Sequence, residues 1–381
     1  MRFSLPVVLL AGLGLAADPS VWDFDDSCQT PERLDRFTKA YNDAELMAVK
    51  AQGDMRTMNT ARPSFERVDS PGLQNWDRIA RAVTNMFGFA PSKDGHDPNE
   101  EHFSNVMYVY DRMVKTLHDG QIVPENGYGG LKPLLMCDEK KWVWVGRDEK
   151  DPHDPAGRPL RESRASTMTP AIGGAWVYKK RYLAASSKTD TPGLCREGVW
   201  ATTMTRYDFI IFCDPSFGDK TANTKSAVDA KDTAAKGDTL NSYSSLSLAR
   251  IMVHEFGHWF GGDKTGGPDN RDVKDQPAVG KEGAPIYRAN NKYTTDANAP
   301  GAKRVITYDF LWTSNLARSH LGENEGNTGP SKSTFTAESY ALFSVMIYMD
   351  KWDWSGDGIA KDFSMIPYKL LPNGKKFRLE G

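Results

Sequence analysis

The residues with the most chemistry to offer are His254, Glu255 and His258, set in Val253-His254-Glu255-Phe256-Gly257-His258-Trp259. Two histidines four positions apart lie one turn above each other on one face of a helix, where two imidazole nitrogens can converge on one metal ion. A glutamate beside the first histidine stays off that ion and can take a proton from water held there. The chemistry implied is hydrolysis assisted by one zinc ion, with Glu255 as general base. A plainer reading, in which two histidines fall at this spacing on a buried helix and are held by backbone or carboxylate partners, is the alternative.

Such a site needs a helix, and the flanking residues supply one. Ser242 to Ser245 offer caps, Leu248, Met252, Val253, Phe256, Trp259 and Phe260 offer apolar faces, and Gly261-Gly262 offers a stop. It also needs a third protein ligand, because catalytic zinc usually takes three and leaves one position open. Asp263, Asp309 and Glu338 are the downstream candidates; Glu338 would serve if a later helix supplied the ligand.

Three earlier helices are expected. One opens at Thr30-Pro31 and carries Leu34, Phe37, Tyr41, Ala44 and Ala48 at helical spacing; a second starts near Ser70-Pro71; a third starts at Asp97-Pro98 and ends at Gly120. From about Leu131 the pattern changes to short β-rich runs at 133–137, 142–145, 175–178 and 200–213, the signature of a small sheet. Within it Tyr207 to Cys213 reads as a strand near the active-site helix and as an edge to which an extended peptide could add. Long polar loops are expected at about 214–241 and 262–303, and helices at about 306–321 and 335–352.

Length and composition narrow the class. The chain has 381 residues, and its 48 basic residues nearly balance 50 acidic ones, so no electrostatic footprint for nucleic acid or a membrane surface is present. Residues 1–17 read as an export signal, with Arg2, an apolar run to Leu15 and a small-residue exit at Ala16-Ala17. Residues 18–381 then form a single secreted, extracellular domain. Four cysteines, Cys28, Cys137, Cys195 and Cys213, favour two disulfides there. A second metal-like pattern, Asp353-Trp-Ser355-Gly-Asp357-Gly358, has the first half of a calcium loop, but Ser364 stands where the bidentate glutamate belongs. It is read as an Asp/Gly turn, and calcium is not expected.

Three segments are similar to those of the aspzincin metallopeptidases, which include fungal deuterolysins and lysine-specific metalloendopeptidases. Ile306-Thr307-Tyr308-Asp309-Phe310-Leu311-Trp312-Thr313 resembles that family's Gly-Thr-x-Asp-x-x-Tyr-Gly, keeping Thr-x-Asp and an aromatic residue three positions on, but lacking both glycines and carrying Trp312 for tyrosine. Thr336-Ala337-Glu338-Ser339-Tyr340-Ala341-Leu342 resembles Asn-Ala-Asp-Ser-Tyr-Ala-Leu, and Asp26-Ser27-Cys28 resembles the start of the family's catalytic domain.

The resemblance implies an α+β, zincin-like fold, mainly helical with a small mixed sheet, and a zinc endopeptidase acting on protein or peptide substrates. It implies Asp309 as third ligand, with Glu338 orienting a ligand histidine, and disulfides Cys28–Cys137 and Cys195–Cys213. The family's oxyanion-stabilising tyrosine has Trp312 in its place, so Tyr308 or Tyr340 could take that part. A secreted binding protein or effector on the same scaffold, with metal but weak or no turnover, is the alternative.

Overall fold

The computed structural model describes residues 19–63, 71–91, 101–121, 130–262, 272–319 and 328–363, together with two short strands at 368–370 and 377–379. The expected export signal and Asp263 fall outside the described residues. The fold is α+β. Helix α1 (Pro31–Thr57) begins with Pro31 at its first turn, where a missing N–H has no intrahelical use, and buries Phe37, Tyr41, Ala44, Met47 and Ala48. Helices α2 (Pro71–Phe87) and α3 (Glu101–Leu117) pack beside it, and the expected start of the latter at Asp97-Pro98 also lies outside the described residues.

A four-stranded sheet forms one wall of the core. Its strands are β1 (Asp23–Phe24), β2 (Leu134–Met136), β6 (Ala201–Met204) and β7 (Phe209–Phe212), in the order β1-β2-β7-β6. The first three positions run parallel, with Leu134 opposite Phe209, while β6 runs antiparallel to β7, with Thr203 opposite Ile210. All four residues of β7 are buried. Ile210 and Phe212 face the helices, and Phe209 and Ile211 face a second cluster with Trp142 and Trp176. An uninterrupted apolar run is what a strand covered on both faces requires. The expectation that this strand is an edge is therefore corrected: β7 is flanked on both sides, and among the described strands the edge beside it is the more polar Ala201-Thr-Thr-Met204.

A second sheet of three antiparallel strands, β3 (Val143–Gly146), β4 (Gly174–Tyr178) and β5 (Arg181–Ala185), stands beside the first. Buried Arg181 ties them together by donating to the carbonyls of Lys132, Tyr207 and Asp208. Disulfides Cys28–Cys137 and Cys195–Cys213 pin the sheet region to the start of α1 and to β7, the pairing implied by the family resemblance. Two disulfides suit an oxidising compartment. No described helix is long and apolar enough to cross a membrane.

The two stretches expected as loops carry more structure than their composition suggests. Residues 214–241 fold into short helical turns anchored by buried Ala227, Ala230, Ala234 and Leu240. Between 272 and 304, Val273, Ala278 and Val279 are buried, and β8 (Tyr287–Ala289), β9 (Lys292–Thr294) and β10 (Lys303–Arg304) pair in the order β10-β8-β9. Helix α4 (Leu248–Gly261) runs through the centre of the core, against α1 and β6 on one side and α6 (Ala337–Tyr348) on another. The helix expected from 306 starts later, as α5 (Phe310–Arg318), because Asp309 caps it.

Candidate metal centre

Helix α4 carries His254, Glu255 and His258, and its other faces are held by Phe256, Trp259 and Phe260, all fully buried. Burying each of these rings contributes on the order of 2 kcal/mol, so the helix cannot rotate its histidines away cheaply. Trp22 packs on Phe256 and Trp259 and donates its indole N–H to Tyr41 of α1. The two imidazoles therefore stand where the spacing places them, with their Nε2 atoms 3.1 Å apart.

The carboxylate that meets them is Asp275. Its Oδ1 lies 3.1 Å from His254 Nε2 and 3.3 Å from His258 Nε2. These three residues are the one such donor group among the described residues. Val273, two residues before Asp275, packs onto the end of α4 because Gly261 has no side chain: a Cβ there would stand 2.2 Å from Val273 Cγ2. That close approach lets His258 Nδ1 donate to the carbonyl of Val273 at 2.7 Å. The bond places a proton on Nδ1 and aims Nε2 at Asp275 and His254.

His254 is held from behind by Glu338 at the first turn of α6. Its Nδ1 donates to Glu338 Oε2 at 3.0 Å, while Glu338 Oε1 is ion-paired to Arg250, one turn earlier on α4. Arg250 also donates to the carbonyl of Tyr308. Glu338 is fully buried; burial alone would raise its pKa, but Arg250 and His254 outweigh that and hold it below the ordinary value. Burial likewise disfavours a charged His254, yet the hydrogen bonds it donates to Asp275 and Glu338 prevail and push its pKa up to about 10. Asp275 is held far below the usual carboxylate range against its own burial, by hydrogen bonds from His254 and His258. The site thus presents two imidazoles and three carboxylates, Asp275, Glu255 and Glu338, partly offset by Arg250.

The structure does not bring Asp309 into this group, which corrects the expectation that it is the third ligand. Asp309 Oδ1 accepts from the Trp312 backbone N–H at 3.0 Å and caps α5. Burial, reinforced by the charge of Glu338, raises its pKa against the opposing Trp312 N–H and the charge of Arg250. Of the three aromatic residues considered for the oxyanion, only Tyr308 reaches the site. Its hydroxyl donates to Asp275 Oδ2 at 2.8 Å, its ring lies 5.8 Å from that of His254, and it is half exposed. Tyr340 is fully buried, and its hydroxyl donates to the Thr334 carbonyl in the core. Trp312 packs its indole against Tyr293 of β9.

Glu255 is buried, and its Oε2 accepts from Thr203 Oγ1 on β6 at 2.6 Å. Its carboxylate is close enough to Tyr308 for the two to interact electrostatically. Sequence reasoning missed Asp275, Arg250 and Thr203. The usable signal for Asp275 was the apolar punctuation of its polar surroundings, Val273, Ala278 and Val279, which marks a segment packed on the core rather than a free loop. No protein-family model, curated protein or solved structure matches the chain.

Proposed function

We propose that the protein is a secreted, zinc-dependent endopeptidase of zincin type. One observation carries this reading: two imidazole Nε2 atoms and a carboxylate oxygen meet within 3.3 Å, and each imidazole is locked at Nδ1 by a separate acceptor. Two histidine nitrogens and one aspartate oxygen form a donor set suited to catalytic zinc, with its remaining position open. The aspzincin resemblance implies the same set, though Asp275 supplies here what Asp309 was expected to supply. An HExxH helix lying against a mixed sheet with an antiparallel edge strand supports the zincin reading.

Zinc in such a site acidifies water and polarises a carbonyl. The chain's own residues do the rest. Glu255 stands beside the donor set with a carboxylate able to take a proton from water and return it to a leaving amine. Tyr308 Oη, already within hydrogen-bond reach of Asp275, can swing its donor to a developing oxyanion from a half-exposed position. Among the described residues strand β6 is paired on one side only, by β7, and its other side offers backbone groups to an extended peptide next to Glu255. Pairing through the main chain fixes the direction of a substrate without demanding one sequence.

The test is hydrolysis of unfolded casein by the purified protein. Activity is expected to vanish with a chelator, to return with zinc, and to be lost in Glu255→Gln while bound metal remains. Full activity in Glu255→Gln, or activity indifferent to chelation, contradicts the proposal.

A further inference from the structure

Thr203 belongs to the edge strand but reaches across to the catalytic helix. Along β6 the side chains alternate: Ala201 packs into the core that holds α4, Met204 into the cluster behind the sheet, and Thr203 shares the α4 side. Its hydroxyl stands 2.6 Å from Glu255 Oε2 and 3.1 Å from the Glu255 backbone carbonyl. A hydroxyl has one proton, and the shorter contact with the charged acceptor takes it. Glu255 Oε1 accepts no hydrogen bond among the described residues.

We propose that Thr203 is a positioning residue for the general base: its hydroxyl holds Glu255 Oε2 and so turns Oε1 toward water and substrate. The inference rests on the peptidase reading and deepens it. A glutamate side chain has three rotatable bonds, and without a tether it samples several orientations, most of them unproductive. Thr203 removes that freedom from the strand that would also pair with the substrate backbone. A peptide docked on β6 is thereby placed in register with the oxygen that must take the proton. Among the described residues no neighbour duplicates the contact: Thr202 faces the other side of the strand by alternation, and β7 places Ile210 opposite Thr203.

The experiment compares wild type, Thr203→Val and Thr203→Ser on a peptide substrate, with metal content measured for each. Valine keeps the shape and removes the donor; serine keeps the donor. Loss of a hydrogen bond to a charged group predicts a fall in kcat of about ten- to a hundredfold for Thr203→Val. KM and bound metal should stay within about twofold of wild type, and Thr203→Ser should recover most of kcat. A kcat within about twofold of wild type in Thr203→Val overturns the inference. So does a loss shared equally by Thr203→Ser, or one accompanied by loss of metal, since either assigns Thr203 to packing alone. A wild-type protein that cleaves nothing defeats the peptidase reading and this inference together, and is recognised before any variant is compared.

Discussion

Two parts of the molecule carry metal-like spacing, and only one gathers metal donors. At the α4 centre, His254, His258 and Asp275 direct donor atoms at one another, with Glu338 and the Val273 carbonyl holding the far sides of the rings. At the Asp353–Asp357 turn the carboxylates are already served. Asp353 Oδ2 pairs with Arg81 at 2.6 Å and its Oδ1 accepts from Ser355, while Asp357 is bonded to Lys361 and to the Ile359 N–H. A permanent cation satisfies the buried carboxylate of Asp353. At the α4 centre the corresponding positive charge is the proton that Asp275 and Glu338 favour on His254, and a proton can leave. Spacing supplies donors in both places; whether the neighbouring positive charge is removable decides which can accept a metal ion.

Breaking the pair at the turn should have the largest effect on stability. Arg81 and Asp353 are 5% and 6% exposed. Arg81→Met leaves a buried carboxylate uncompensated and should destabilise by about 3–5 kcal/mol, read by denaturant unfolding. Added calcium should not restore it, because the turn lacks a bidentate ligand. Calcium rescue would put the two regions in the same class and undo the contrast.

At the metal centre, Glu338→Gln keeps the size of the side chain but removes the charge behind His254. Metal affinity should fall about 10–100-fold, measured by competition with a chromogenic chelator. An unchanged affinity would mean that His254 needs no buttress, and Arg250 with Glu338 would then be an ordinary buried ion pair.

A smaller effect comes from pH. In the metal-free protein the His254 pKa is raised from 6.5 to about 10, so its contribution to stability is fully present below about 6.5 and is lost as pH rises toward 10. Metal binding needs the deprotonated ring and grows stronger over the same interval. The Tm gain produced by zinc should therefore widen between about pH 6.5 and pH 9. A gain independent of pH would show that no proton is exchanged for the ion.

What the sequence disclosed and what it hid follow from locality. The α4 helix, its two histidines and Glu255 were legible because all of that chemistry lies within five residues and one helical face. The apolar stripes of α1, α2 and α6 were legible for the same reason. Asp275 was not, because its place depends on a close approach of Val273 to Gly261 that no local pattern announces. Asp309 was attractive for its motif, yet a lone aspartate before a helix is also a natural cap, and that is the use the fold makes of it. Strand β7 was found but misplaced at the edge, although four consecutive apolar residues argue for a strand covered on both faces. Thr203 carries no signal at all until β6 is set beside α4.

In the proposed zinc site Asp275, and not Asp309, completes the donor set. Metal content of the purified wild type, compared with Asp275→Ala and Asp309→Ala, distinguishes the two aspartates. About one zinc per chain is expected in wild type and in Asp309→Ala, which should lose only about 1 kcal/mol of helix-cap stability, with little zinc retained by Asp275→Ala. Zinc retained by Asp275→Ala and lost from Asp309→Ala would make Asp309 the ligand and Asp275 a bystander.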